Sequence, residues 1–332
     1  MYKALVTGSD GFIGSHLVES LLKDGIEVKA FCFYNSNNSW GWLDRVPKEV
    51  KNNIEVFLGD IRDPYCVKEA MKGCNVVYHL AALIGIPYSY LAPLSYVDTN
   101  IKGTLNILQS ANELEVEKVV HTSTSETYGT AQFIPINEKH PLVGQSPYAA
   151  SKIGADHMAL SYYKSFATPV TILRPFNTYG PRQSTRAVIP TIITQIASDM
   201  KIVKLGELST TRDFNFVEDT CNAFKAIAKS KKTIGKVLNA SSNFEVSIME
   251  TAKLVSEIMN VEIEIISENE RKRPKDSEVN RLFGDNSLLK KLTDWEPKFS
   301  GINGFKDGLA ITVEWFSKKE NLDIYKANKY AI

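Results

Sequence analysis

A tyrosine and a lysine four residues apart, Tyr148 and Lys152 in SPYAASK, open a helical stretch and therefore share a helix face. A phenol with an ordinary pKa of about 10 is a poor base near neutrality, and a neighbouring ammonium favours its phenolate. Such a pair can take the proton of an alcohol while hydride leaves the carbon for a bound acceptor. Spacing alone proves little, because Tyr325 and Lys329 repeat it in the polar C-terminal residues. Position separates the two. Tyr148 follows a strand and its exit loop, whereas Tyr325 follows everything patterned like core.

The place of the acceptor is marked by LVTGSDGFIG at residues 5–14, where Gly8, Gly11 and Gly14 recur every third residue with Phe12 and Ile13 between them. The run directly follows the first strand and opens the first helix. Glycines let backbone approach a pyrophosphate while the helix N-terminus presents free N–H groups, so a dinucleotide is expected here. An NAD site usually adds a carboxylate about 20 residues on. This chain instead has Cys32-Phe33-Tyr34-Asn35-Ser36. Asn35, Ser36 and Ser39 could donate to a 2′-phosphate, which leans the expectation toward NADP; no Arg stands beside them, so NAD stays open.

These groups need a scaffold. Short apolar runs at 3–7, 28–33, 54–58, 76–82, 118–123 and 169–174 alternate with helical segments, as a parallel sheet covered on both faces requires. The expected fold is α/β: a Rossmann-type doubly wound parallel sheet over 1–180, to which some later segments return. A smaller C-terminal α/β lobe follows over 181–320, with a tail at 321–332. Its expected helices lie near 187–199, 219–230, 247–258 and 303–318, and its strands near 202–205, 214–217, 236–240 and 262–266. Glu126, just after the fifth strand, sits where ligands bind in open α/β sheets.

At 43% hydrophobic and 23% charged, the 332 residues have the composition of an ordinary folded protein. Thirty-nine basic and 38 acidic residues leave a net +1, which provides no general field for nucleic acid or an anionic membrane. Any anion must be met locally. Four cysteines without a CxxC pair argue against a disulfide framework and against a structural zinc site. No signal peptide and no apolar stretch of about 18 residues is present, so a cytoplasmic location is expected.

The TGxxGFIG form of the glycine run, with Tyr148 and Lys152, resembles the extended short-chain dehydrogenase/reductases. Over residues 1 to about 300 the chain resembles their nucleotide-sugar 4,6-dehydratases. STSETYG is similar to the GDP-mannose 4,6-dehydratases. The stretches 34–43, 84–90, 144–159 and 174–193 look more like the N-acetylglucosamine-nucleotide 4,6-dehydratases of legionaminic acid pathways.

The resemblance implies that Asp60, Ile61, Leu80, Ala81, Ala82, Asn100 and Thr122 help to line the cofactor site, and that Thr124 completes a triad with Tyr148 and Lys152. Tyr148 would take the O4 proton, Glu126 the C5 proton, and Glu126 or Ser125 would assist water loss from C6, without a metal. The dTDP-glucose enzymes have Asp where Ser125 stands. Arg212 and Arg273 would grip the substrate diphosphate, Asn177 would approach it, and Arg182 is a further candidate. The charged stretch 267–278 then belongs to the substrate lobe. A homodimer is expected through helices near 94–114 and 148–166, with Leu105, Leu108, Ala111, Met158, Tyr162 and Phe166 as its apolar surface. The rivals are a UDP-glucuronate decarboxylase, a 4-epimerase, and a nicotinamide-sensing regulator that has lost its chemistry.

Overall fold

A computed structural model describes residues 2–325. Seven strands form one parallel sheet: β1 (Lys3–Thr7), β2 (Glu27–Phe33), β3 (Ile54–Gly59), β4 (Val76–His79), β5 (Lys118–Thr122), β6 (Val170–Pro175) and β10 (Val237–Ala240). Their order is β10-β6-β5-β4-β1-β2-β3. The chain leaves β1 for β2 on one side and later crosses to β4 on the other. A crevice therefore opens between the ends of β1 and β4, where open α/β sheets bind ligands. The first five strands are mostly buried, apart from β3 at the edge, as helices on both faces demand, with Lys29, His79, Lys118 and His121 as buried polar exceptions.

The remaining strands are β7 (Asn177–Tyr179), β8 (Ile202–Leu205), β9 (Thr211–Phe216), β11 (Glu245–Ser247) and β12 (Glu264–Ser267). They make a three-stranded sheet, β11-β9-β7, and a two-stranded one, β12-β8. β7 was not anticipated because it follows β6 after a single residue, Phe176. β10 lies within residues 181–320 yet completes the large sheet beside β6. The helix Val217–Lys229 likewise packs against the first helix, Phe12–Lys23. One apolar cluster runs through both parts, from Leu17 and Leu21 to Phe224, Phe305 and Phe316.

The C-terminal residues differ from the expected polar tail. Helix Lys319–Leu322 closes the fold, and Tyr325 packs on Phe316 at 5.1 Å and stacks on Trp42 at 6.3 Å. Lys329 lies outside the described residues. Among the described residues, no helix is long and apolar enough to cross a membrane.

Part of the expected dimer surface also needs correcting. Leu108, Ala111 and Tyr162 are buried in the cluster under the sheet, with Leu105 and Met158 packed against them. Helical amphipathicity alone cannot separate a face turned to the sheet from one turned outward. Phe166 is exposed, as are Leu94 and Val97 on the preceding helical segment.

Candidate active site

The glycine run forms a tight cradle. Gly8 has φ +70°, and a Cβ there would lie 2.8 Å from the amide nitrogen of Ala81; a Cβ on Gly14 would lie 2.1 Å from the Gly8 carbonyl oxygen. Neither position has room for a side chain. Helix Phe12–Lys23 begins at Gly11 with no side-chain cap, so its first-turn N–H groups face the crevice without a built-in partner. The Thr7 hydroxyl accepts the N–H groups of Leu80 and Ala81, each at 3.1 Å, which ties the end of β4 to the end of β1. A close-approach cradle and uncapped amides fit a dinucleotide pyrophosphate.

The surrounding residues are more engaged than their types suggest. The Asn35 side chain donates to the Phe33 and Ser39 carbonyls and accepts the N–H groups of Asn37 and Ser39, while Ser39 Oγ donates to Asp44. Two of the three donors proposed for a 2′-phosphate thus serve their own loop, and a carboxylate stands next to one. That removes the ground for favouring NADP. Asn100 sits in a π-helical turn, donates to the Leu83 carbonyl and to Ser151 Oγ, and accepts Leu83 N–H. It holds the β4 exit against the catalytic helix rather than facing a ligand. At the β3 exit, burial pushes the Asp60 carboxyl up, but its hydrogen bonds with Arg62 outweigh this and hold it low. Ile61 is buried against Gly103.

Helix Pro147–Phe166 presents the reacting pair. Ser146 caps it by accepting Ala149 N–H at 3.1 Å, with Pro147 in the first turn, so Tyr148 and Lys152 occupy successive turns of one face. Tyr148 is 7% exposed; burial pushes its phenol well up, opposed by a hydrogen bond with Thr124 and reinforced by the charge of Glu126. The Tyr96 ring stands edge-on to it at 6.3 Å. Lys152 Nζ donates to the Thr122 carbonyl at 2.6 Å, and burial pushes its ammonium down to about 8. In the chain alone the two shifts oppose an ion pair.

The turn Ser125–Tyr128, capped by Thr124, follows β5 and places Thr124 and Glu126 beside Tyr148. Ser125 and Glu126 are buried. Arg273 Nη1 lies 3.7 Å from the Glu126 carboxylate and 3.8 Å from Glu278, and Arg212 Nη2 lies 3.1 Å from Glu278. Arg212 and Arg273 therefore meet the catalytic turn, and Glu278, which sequence reasoning missed, holds both. The stretch 267–278 lines this site: Ser277 Oγ bonds the Tyr90 hydroxyl and the Gln145 carbonyl. Asn177 lies on β7, its side-chain oxygen buried and without a hydrogen-bond partner. Arg182 is elsewhere. It pairs with Glu19 and donates to Ser15 Oγ on the first helix, which removes it from the group around Glu126.

The family profile described as GDP-mannose 4,6 dehydratase matches residues 5–308. The chain belongs to that family. A dTDP-D-glucose 4,6-dehydratase of Bos taurus is 30% identical over 99% of this chain and 92% of its own length. A UDP-N-acetyl-alpha-D-glucosaminuronate decarboxylase of Bacillus cytotoxicus is 31% identical over 96% and 99%. The crystal structure of dTDP-glucose 4,6-dehydratase from Bacillus anthracis in complex with NAD superposes with a TM-score of 0.83, at 28% identity over 97% of this chain and 98% of that one. This member of the GDP-mannose dehydratase family thus lies in the superfamily of nucleotide-sugar 4,6-dehydratases, epimerases and decarboxylases.

The two Tyr-xxx-Lys patterns give a direct contrast. Tyr148→Phe is expected to abolish turnover and leave NAD binding within about twofold, since only the reacting hydroxyl is lost. Among the described residues the buried Tyr325 hydroxyl has no hydrogen-bond partner, so Tyr325→Phe should leave activity unchanged and stability equal or slightly higher. Turnover assays and cofactor titration of both variants check this; equal losses at the two positions would contradict the assignment.

Proposed function

We propose that the chain catalyses the NAD-dependent 4,6-dehydration of a nucleotide sugar, an N-acetylglucosamine linked to GDP or UDP, giving the 4-keto-6-deoxy sugar nucleotide. The observation that carries this reading is the buried Glu126, whose charge acts on Tyr148 and which lies 3.7 Å from Arg273. A carboxylate beside the base of the first step is what removal of the C5 proton requires. The N-acetylglucosamine substituent is supported by the sequence stretches similar to the legionaminic acid branch, and NAD by the relative that binds it.

The bound nicotinamide supplies the acceptor and donor of hydride. Tyr148 receives the proton of the sugar O4, with Thr124 holding the same oxygen. Lys152 stands one turn behind and contributes positive charge. Oxidation at C4 acidifies the C5 proton, which Glu126 removes. Water then leaves C6 as Glu126 returns its proton to the departing hydroxyl, because the hydroxyl of Ser125 is too weak an acid for that step; C5 regains a proton from solvent through Glu126, and Tyr148 gives up the O4 proton to solvent. Arg212 and Arg273 bind the diphosphate, with Asn177 beside it.

Incubating the protein with GDP-, UDP- and dTDP-sugars, UDP-glucuronate included, with NAD or NADP, tests the reading by product mass. Loss of one water from an N-acetylglucosamine nucleotide supports it. Loss of carbon dioxide from a uronate, or a product of unchanged mass and altered C4 configuration, would replace it.

Three variants and one size measurement follow. Glu126→Gln keeps shape but cannot accept the C5 proton, so water loss should fall about 10²–10⁴-fold while a near-ultraviolet absorbance rise still reports oxidation at C4. Undiminished dehydration would overturn the role. Arg273→Ala should weaken sugar-nucleotide binding about 10- to 150-fold and leave NAD binding unchanged, as calorimetric titration of each ligand would show. Loss of both affinities together would contradict the diphosphate role. We also propose a homodimer through exposed Leu94, Val97 and Phe166. Light scattering should give twice the chain mass, reverting to a monomer in Leu94→Glu; a monomeric wild type would exclude it.

A further inference from the structure

One set of buried ionisable groups has no part in the reaction sequence above. Asp156 lies one turn beyond Lys152 on the face that carries Tyr148, and it is 1% exposed. Its Oδ2 accepts three hydrogen bonds: from Ser123 Oγ at 2.8 Å, Arg174 Nε at 3.1 Å and Arg174 Nη2 at 2.8 Å. Its Oδ1 lies 3.4 Å from His121 Nε2. Arg174 in turn lies over the Tyr128 ring at 4.8 Å, and the Tyr128 hydroxyl donates to Asn239 at 2.7 Å. The network joins the catalytic helix to β5, β6 and β10.

A buried ion pair is weak as a stabilising device, since its desolvation cost often exceeds its attraction, and apolar replacements commonly serve as well. Its position is more telling than its strength. Ser123, held by Asp156, stands between Thr122, whose carbonyl accepts from Lys152, and Thr124, which lies beside Tyr148. One carboxylate therefore touches the strand end that positions both partners of the reacting pair. It also supplies a negative charge toward Lys152.

Resting on the assignment of Tyr148 and Lys152 as the reacting pair, we propose that Asp156 is a positioning residue: with Arg174 as its counter-ion, it locks the catalytic helix to the exit of β5 and furnishes the buried negative charge that faces Lys152. The titratable and charged groups that face it are His121 on β5, Arg174 on β6, and Lys152 and Tyr148 on its own helix. His79 stands behind His121 at 5.5 Å, and Glu126 acts on Tyr148 from the turn after β5. Burial keeps both histidines neutral, with lowered pKa values. Burial pushes the Asp156 carboxyl up, but the paired Arg174 guanidinium, with the His121 ring close by, outweighs this and holds it below its usual range, so it is charged near neutrality. Burial drives Lys152 down to about 8, and the Asp156 charge works against that. Without it, Lys152 would lose its proton in the range where the enzyme must keep it.

Titration of lysines labelled with carbon-13 at Cε, followed by NMR, tests this without any sugar substrate; Lys152→Arg identifies the Lys152 signal. Lys118, at the far end of β5, is an internal reference, because burial alone brings it to about 8. In Asp156→Asn the proton affinity of Lys152 should fall about tenfold or more while Lys118 stays in place. Asp156→Glu, which keeps the charge, should hold Lys152 near its wild-type midpoint. Asp156→Asn leaves Arg174 uncompensated and can unfold, so Asp156→Asn combined with Arg174→Gln provides a neutral version, in which loss of the Arg174 cation offsets part of the effect and a smaller fall in the same direction is expected. With whichever sugar nucleotide the wild type turns over, the alkaline limb of kcat should move to lower pH and KM should hold. A Lys152 midpoint that does not move in a folded neutral variant overturns the proposal. A failed substrate panel would overturn the proposed reaction and leave this titration standing.

Discussion

The chemistry of this site depends on one register, that of helix Pro147–Phe166 against the carboxyl end of β5. The cap at Ser146 sets where the helix begins, and the bond from Lys152 to the Thr122 carbonyl sets where its second turn meets the strand. From those two contacts the rest follows: Tyr148 arrives at Thr124, and the turn Ser125–Tyr128 brings Glu126 beside the same phenol. A slip of one residue along the helix would rotate its side chains by about 100° and take Tyr148 out of the crevice. Parallel strands make this register possible, because successive strand ends all open on the same edge of the sheet, at the point where the strand order reverses.

The second constraint is charge. With a net charge of +1 the chain has no long-range pull on an anionic ligand, and the site answers with local pairs. Arg212 and Arg273 are balanced by Glu278 and Glu126 in the absence of substrate. A diphosphate would meet guanidinium groups already held in place, which limits the side-chain ordering that binding would otherwise cost. Around Tyr148 the situation is reversed. Burial favours the neutral phenol and the neutral amine.

Much of this was legible in the sequence because it is local. A glycine every third residue between a strand and a helix, or a Tyr and a Lys four apart after a strand, carries its geometry in its spacing. The six leading strands were visible as continuous apolar runs for the same reason. What stayed hidden depends on long-range contact. Arg182 and Arg273 look alike as residue types, and only the fold sends one to Glu19 on the first helix and the other to Glu126. Asn35 has the right chemistry for a phosphate, but its loop folds back on it. Tyr325 looked peripheral because the Trp42 and Phe316 rings it packs on are far away or inconspicuous in the sequence. Asp156 could have been found by continuing the Tyr148–Lys152 face one more turn; its partners Ser123, His121 and Arg174 could not.

The reaction proposed for this site is a closed internal redox cycle, in which hydrogen removed from C4 returns to C6 of the same sugar while Glu126 exchanges the proton at C5. The most direct measurement uses a nucleotide sugar carrying deuterium at C4, turned over in ordinary water and analysed for the position of the label. Deuterium is expected at C6 of the 4-keto-6-deoxy product and, in heavy water with unlabelled sugar, at C5. A product that keeps its label at C4, or one that has lost C6 as carbon dioxide, would contradict it.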